Sequence, residues 1–132
     1  MRVIHFTHGA TESLNSSFRA LGVTSVSLAD ADGDTHITCL HFVRGGKVLA
    51  PPATHDSALL IVSGKLELLF DAGDRATLTG GMGVVIEAGQ HYSMQSGIGA
   101  IVIAVESRRL QATAQAISTP ERIMGQRWPG EW

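Results

Sequence analysis

Apolar residues in the central part of this chain come in short runs, each closed by glycine, proline or aspartate. Val23–Ala29 is rich in β-branched residues and ends in the acidic turn Asp30-Ala31-Asp32-Gly33-Asp34. Thr35–Val43 follows, with Ile37, Cys39, His41 and Val43 on one face and His36, Thr38, Leu40 and Phe42 on the other. Gly45-Gly46 breaks that run, and Pro51-Pro52 forbids regular pairing in the next loop. Ala58–Val62 is apolar on both faces, which predicts a strand between two covered surfaces. After a turn or bulge at Ser63-Gly64, Leu66, Leu68 and Phe70 alternate with Lys65, Glu67 and Leu69, placing Glu67 on the solvent face. Arg75–Leu78, Met82–Ile86, His91–Gln95 and Ala100–Glu106 complete the series, separated by Gly- or Asp-containing turns. Evenly spaced short strands predict an all-β, antiparallel sandwich or barrel of six to ten strands, and closure removes the exposed edges.

The ends read differently. Glu12–Leu21 suits a helical turn or irregular structure. Thr119-Pro120-Glu121 has the chemistry of a helix start, with Gly125 and Pro129 keeping any C-terminal helix short. Trp128 and Trp132 suggest a tail that packs against something. With 132 residues, the chain has the size of one domain, read here as residues 1–132 with a barrel core over 23–106, an N-terminal segment 1–22 and a tail 107–132. At 44% hydrophobic and 17% charged it is not a disordered chain, and a net charge of −2 argues against nucleic-acid or membrane partners. A single cysteine, Cys39, excludes an intrachain disulfide, and the absence of a secretory pattern at the start leads to a cytoplasmic expectation.

The fifteen glycines become informative through their spacing. The stretch GGKVLAPPATHDSALLIVSGKLEL and then GGMGVVIEAGQHYSMQSG resemble the two motifs of the cupin superfamily, G-x5-H-x-H-x3-4-E-x6-G and G-x5-P-x-G-x2-H-x3-N. Gly45, Gly64, Gly81 and Gly89 fall on the motif glycines without a gap inside either motif, and the likeness covers about residues 35–106. It implies an antiparallel double-stranded β-helix, the RmlC-like jelly-roll barrel, to which the reading of the chain's end adds a short C-terminal helix or tail. The glycines mark corners where positive φ or close backbone approach excludes a Cβ, so they speak of fold and not of activity.

At the site positions the chain departs from the family. In this register the two histidines of the first motif are Pro51 and Ala53, and the glutamate is Ser57. In the second motif the proline is Glu87, the histidine Tyr92 and the asparagine Ser96. Three histidines and a glutamate hold the divalent metal of metal-binding cupins, so the resemblance implies that this chain lacks the usual centre. A relocated site would draw on His41, His55 and His91, which lie off register; a metal is thereby allowed but not favoured.

Other chemistry fares worse. The acidic turn at residues 30–34 fails the calcium-loop pattern, because Thr35 stands where glycine is needed. Ser57 beside Asp56 and His55 lacks the strained elbow of a hydrolase nucleophile, and Cys39 among apolar neighbours reads as inert. Glu67, Glu87 and Glu106 are single carboxylates, any of which could serve as a base if it faced a cavity.

Two functions follow. The first is a small-molecule-binding cupin, with the ligand contacted by His41, His55, Ser57, Met82, His91 and Tyr92. The second is an enzyme, such as an isomerase, epimerase or dioxygenase, using either the relocated histidines or metal-free acid–base chemistry by His91 or Tyr92. The resemblance also implies a homodimer.

Overall fold

Glycines with left-handed backbone turn the apolar runs at their corners, and all four motif glycines have positive φ: Gly45 +80°, Gly64 +84°, Gly81 +91° and Gly89 +86°. The computed structural model describes residues 1–4, 12–13, 19–31, 34–50, 54–111 and 113. Eight strands occupy them: β1 (Glu12–Ser13), β2 (Arg19–Ala31), β3 (Thr35–Ala50), β4 (Asp56–Phe70), β5 (Arg75–Thr79), β6 (Gly83–Ile86), β7 (Tyr92–Ser96) and β8 (Ala100–Ser107). All pairings are antiparallel. No helix among the described residues is long and apolar enough to cross a membrane.

Closure comes from β3 and β4. Each pairs with both β7 and β8, so the hydrogen-bonded ring β3–β8–β4–β7 returns to its start. A strand can serve two layers only if it bends, and glycine permits the bend. The sequence predicts a break at Gly45-Gly46; instead β3 runs through it to Ala50, because Gly46 lets the backbone of Gly22 approach. A Cβ on Gly46 would stand 2.7 Å from the Gly22 carbonyl oxygen. In β4 the corner is the register shift between Ile61 and Ser63, followed by Gly64, whose Cβ would meet the Gly99 carbonyl oxygen at 2.1 Å. The helical turn expected within residues 12–21 is replaced, where described, by β1 and the start of β2. Residues 119–132, with the expected C-terminal helix and both tryptophans, lie outside the described residues.

The core fills the barrel from alternate positions. Leu66 and Leu68 are fully buried and Glu67 between them faces outward, where its carboxylate accepts a 2.9 Å hydrogen bond from Gln95 Nε2. Leu59, Leu78, Val48 and Val102 are equally inaccessible, and each such aliphatic side chain stabilises the fold by roughly 1.5–3 kcal/mol. The inner face of β3 is the one carrying Leu40 and Phe42. One end of the barrel is sealed by Ser96, whose hydroxyl donates to the Lys65 carbonyl (2.6 Å) and accepts from the Gly99 N–H (2.9 Å). Ala58–Val62 departs from expectation on one face: Leu60 and Val62 are 46% and 42% exposed.

Candidate functional site

Register decides what each inward row contains. Near the sealed end, Ala100 pairs with Phe42, and the next row is Ile61, Val102 and Leu40. One row further out are Leu59, Ala104 and Thr38, and the outermost row is Ser57, Glu106 and His36. Polarity therefore rises toward one end, the mouth. Cross-strand neighbours in such a row have Cβ atoms about 4.5–5.5 Å apart, so Glu106 is flanked by Ser57 on one side and His36 on the other. The facing wall contributes Tyr92 and Phe70, partners in the β4–β7 register, with ring centroids 5.8 Å apart and planes inclined at 37°. Ile86, opposite Ser57 on β6, adds apolar surface.

The polar groups divide into paired and unpaired. His36 Nδ1 lies 2.7 Å from Asp30 Oδ1, and this hydrogen bond, helped by the charges of Asp30, Glu106 and Asp34, raises the imidazole above its usual range. Arg108 pairs with Asp34 at 2.8 Å. Ser57 and Tyr92 are only 5% and 9% exposed, and neither hydroxyl has a hydrogen-bond partner among the described residues. Burial, with the Glu106 carboxylate adding to it, pushes the Tyr92 phenol up to about 12, so it is a neutral donor–acceptor at any ordinary pH.

The sequence-derived candidates scatter. Tyr92 and Ser57 face the mouth. His55 sits beside the start of β4, with Nδ1 2.8 Å from Thr54 Oγ1 and Nε2 3.6 Å from Asp34. His91 is exposed, 3.7 Å from Asp71 in the β4–β5 turn. His41 lies on the outward face of β3, between Thr24 and Ile101 in register. Met82 belongs to the Thr79–Met82 turn at the far end of β5, where its sulfur accepts from Thr79. Asp56 does not accompany Ser57 inward: its carboxylate accepts from the N–H groups of Ala88 (2.9 Å) and Leu110 (3.0 Å) and is held below the usual carboxylate range by them. Cys39 is buried on the outward side, and burial pushes its thiol up.

Two mouth residues, His36 and Glu106, are absent from the sequence-derived set, although Glu106 was among the carboxylates in question. For His36 alternation was undecided, because its face carries Leu40 and Phe42 and the other carries Ile37 and Val43. For Glu106 alternation carried no signal, since Ala100–Val105 is apolar on both faces.

The residues present do not fit the metal centre that the motif resemblance implies. Ser57 and Tyr92 bring hydroxyls where that centre has carboxylate and imidazole, and Pro51 and Ala53 bring no side-chain donor. Among the described residues no three His, Cys, Asp or Glu side chains stand together as metal ligands, and His41, His55 and His91 are not brought together. A shallow surface groove of about 380 Å³ around Leu21, Lys47, Leu49 and Gln95 has Lys47 as its charged group and no facing acid, which leaves the mouth as the better-built site.

No protein-family model matches the chain, and no curated protein resembles it in sequence. Solved structures do match in architecture. The polyketide cyclase RemF from Streptomyces resistomycificus superposes with a TM-score of 0.70 at 17% identity, over 80% of this chain and 78% of that one. An RmlC-like cupin from Shewanella frigidimarina gives 0.63 at 18% identity, over 81% of this chain and 93% of the other. A cupin superfamily protein from Desulfitobacterium hafniense gives 0.59 at 20% identity, over 64% and 75%. Identities this low carry architecture and not activity, and the architecture they show is the antiparallel barrel fold of RmlC-like cupins.

Proposed function

We propose that this chain binds a small organic molecule in the barrel mouth, without the metal centre of metal-binding cupins. The observation that carries this reading is the pair of hydroxyls of Ser57 and Tyr92, which have no hydrogen-bond partner among the described residues although both residues are largely buried beside the Glu106 row. Polar groups of buried residues are nearly always satisfied, so hydroxyls left without a protein partner argue for a ligand or water that satisfies them. Elemental analysis of purified protein, with mass spectrometry of any molecule released on denaturation, tests it. Substoichiometric zinc, iron, nickel and manganese together with an organic mass are expected. A stoichiometric metal that is lost in His55→Ala overturns it.

A second reading is supported by the electrostatic coupling of Tyr92 to Glu106, since a phenol and a carboxylate close enough to sense one another can act as an acid–base pair. A polyketide cyclase is among the proteins of like fold, and a metal-free enzyme here would use Tyr92, with His91 at the rim. Turnover lost in Tyr92→Phe or His91→Ala with the fold retained supports this reading, and turnover retained in both removes it.

The setting we propose is cytoplasmic, and the assembly a homodimer paired through the outer sheet face. Two adjacent outward rows there are wholly apolar: Val85, Ala58, Val105 and Ile37 in one, Leu60, Ile103, Cys39 and Val26 in the other. An uncharged face is complementary to a second copy of itself, as a two-fold interface requires.

A further inference from the structure

We infer that the mouth selects an organic cation, an ammonium group carried on a hydrocarbon or aromatic body; this rests on the mouth being the binding site. Three acceptor groups line it. Glu106 offers a carboxylate, and among the described residues it has no hydrogen-bond partner. Ser57 adjoins it in register, and Tyr92, beside Phe70 on the facing wall, is close enough for the Glu106 charge to act on its phenol. An ammonium group has three N–H donors and no acceptor, so it matches that set. The cations nearby already face carboxylates: His36 with Asp30 at 2.7 Å, Arg108 with Asp34 at 2.8 Å, and Arg109 close enough to Asp56 for its charge to act there. A carboxylate or phosphate ligand would instead meet Glu106, Asp30 and Asp34 with no unengaged Lys or Arg in the mouth row. The remaining lining suits the body of the ligand. The tilted Phe70–Tyr92 pair offers ring faces that attract a cation, and Ile86 and Ala104 accept hydrocarbon.

Three probes of one shape separate the possibilities: benzylammonium, neutral benzyl alcohol and anionic benzoate, titrated calorimetrically while the ring resonances of Tyr92 are followed by NMR. Benzylammonium is expected to bind about tenfold more tightly than either of the others, the discrimination a hydrogen bond to a charged acceptor supplies. Glu106→Gln should abolish the preference for benzylammonium over benzyl alcohol, and Glu67→Gln on the outer face should leave that preference intact. Equal or reversed ranking in the wild type, with Tyr92 shifted, overturns the cation assignment and leaves a binding mouth in place. Preference that survives Glu106→Gln overturns it as well. If all three probes leave Tyr92 unmoved, both this inference and the mouth as the site are contradicted. The wild-type ranking decides even if the Glu106 variant fails to fold.

Discussion

Tyr92 on β7 and Glu106 on β8 belong to opposite walls of the barrel, yet the carboxylate helps burial push the phenol up to about 12. Bent strands make this possible. β3 and β4 each turn at a glycine corner, so both their ends reach the mouth and the two walls face one another across it.

Tyr92 is the chain's only tyrosine, so its ionisation can be read directly from tyrosinate absorbance. The ionised form is an anion, and a nearby carboxylate opposes it; Glu106→Gln should therefore lower the midpoint. The folded value lies above the unfolded one of 10, so the stabilisation is complete below pH 10 and is lost as pH rises toward about 12. Unfolding followed across that window should show a loss on the order of 2–3 kcal/mol, absent in Tyr92→Phe. A midpoint near 10 in the native protein would contradict the buried setting.

His36 should lose its stabilisation in the same direction, at lower pH. Asp30 raises the imidazole, so the favourable pairing is complete below pH 6.5 and fades as pH rises through the higher folded value. Asp30→Asn should bring the imidazole midpoint down in an NMR titration, whereas Asp71→Asn should leave His36 unchanged.

The corner glycines differ in what they tolerate. Gly81→Ala meets nothing within 4 Å and bears only the left-handed backbone, a cost of about 1–2 kcal/mol. Gly64→Ala adds a collision with the Gly99 backbone at 2.1 Å and should lose at least twice as much. Denaturant midpoints of the two variants check this order.

Those glycines were legible in the chain because their spacing needs no knowledge of which face points inward. So was the outward direction of Glu67, set between two leucines. The mouth was not legible to the same degree. β3 and β8 are apolar on both faces, so alternation could not choose between His36 and His41, nor orient Glu106. That choice is made by pairing across β4, β8 and β3, a long-range relation that local pattern does not contain. The second apolar face has its own explanation if it meets another copy of the chain. Sedimentation should then report a dimer, and Leu60→Lys, at a position 46% exposed, should give a folded monomer. A monomeric wild type would contradict that interface.

Asp56 ties the β8 exit to the mouth loop through the N–H groups of Ala88 and Leu110. Asp56→Ala should accelerate hydrogen exchange at both amides. In the wild type the same loosening should appear as pH falls through the depressed carboxylate value.

The central claim is that small molecules bind between Ser57, Tyr92 and Glu106. A fragment screen read by residue-resolved NMR tests it most directly. The account predicts shifts that cluster on Ser57, Ile86, Tyr92 and Glu106. Hits that instead gather around Leu21, Lys47 and Gln95, with the mouth unmoved, would contradict it.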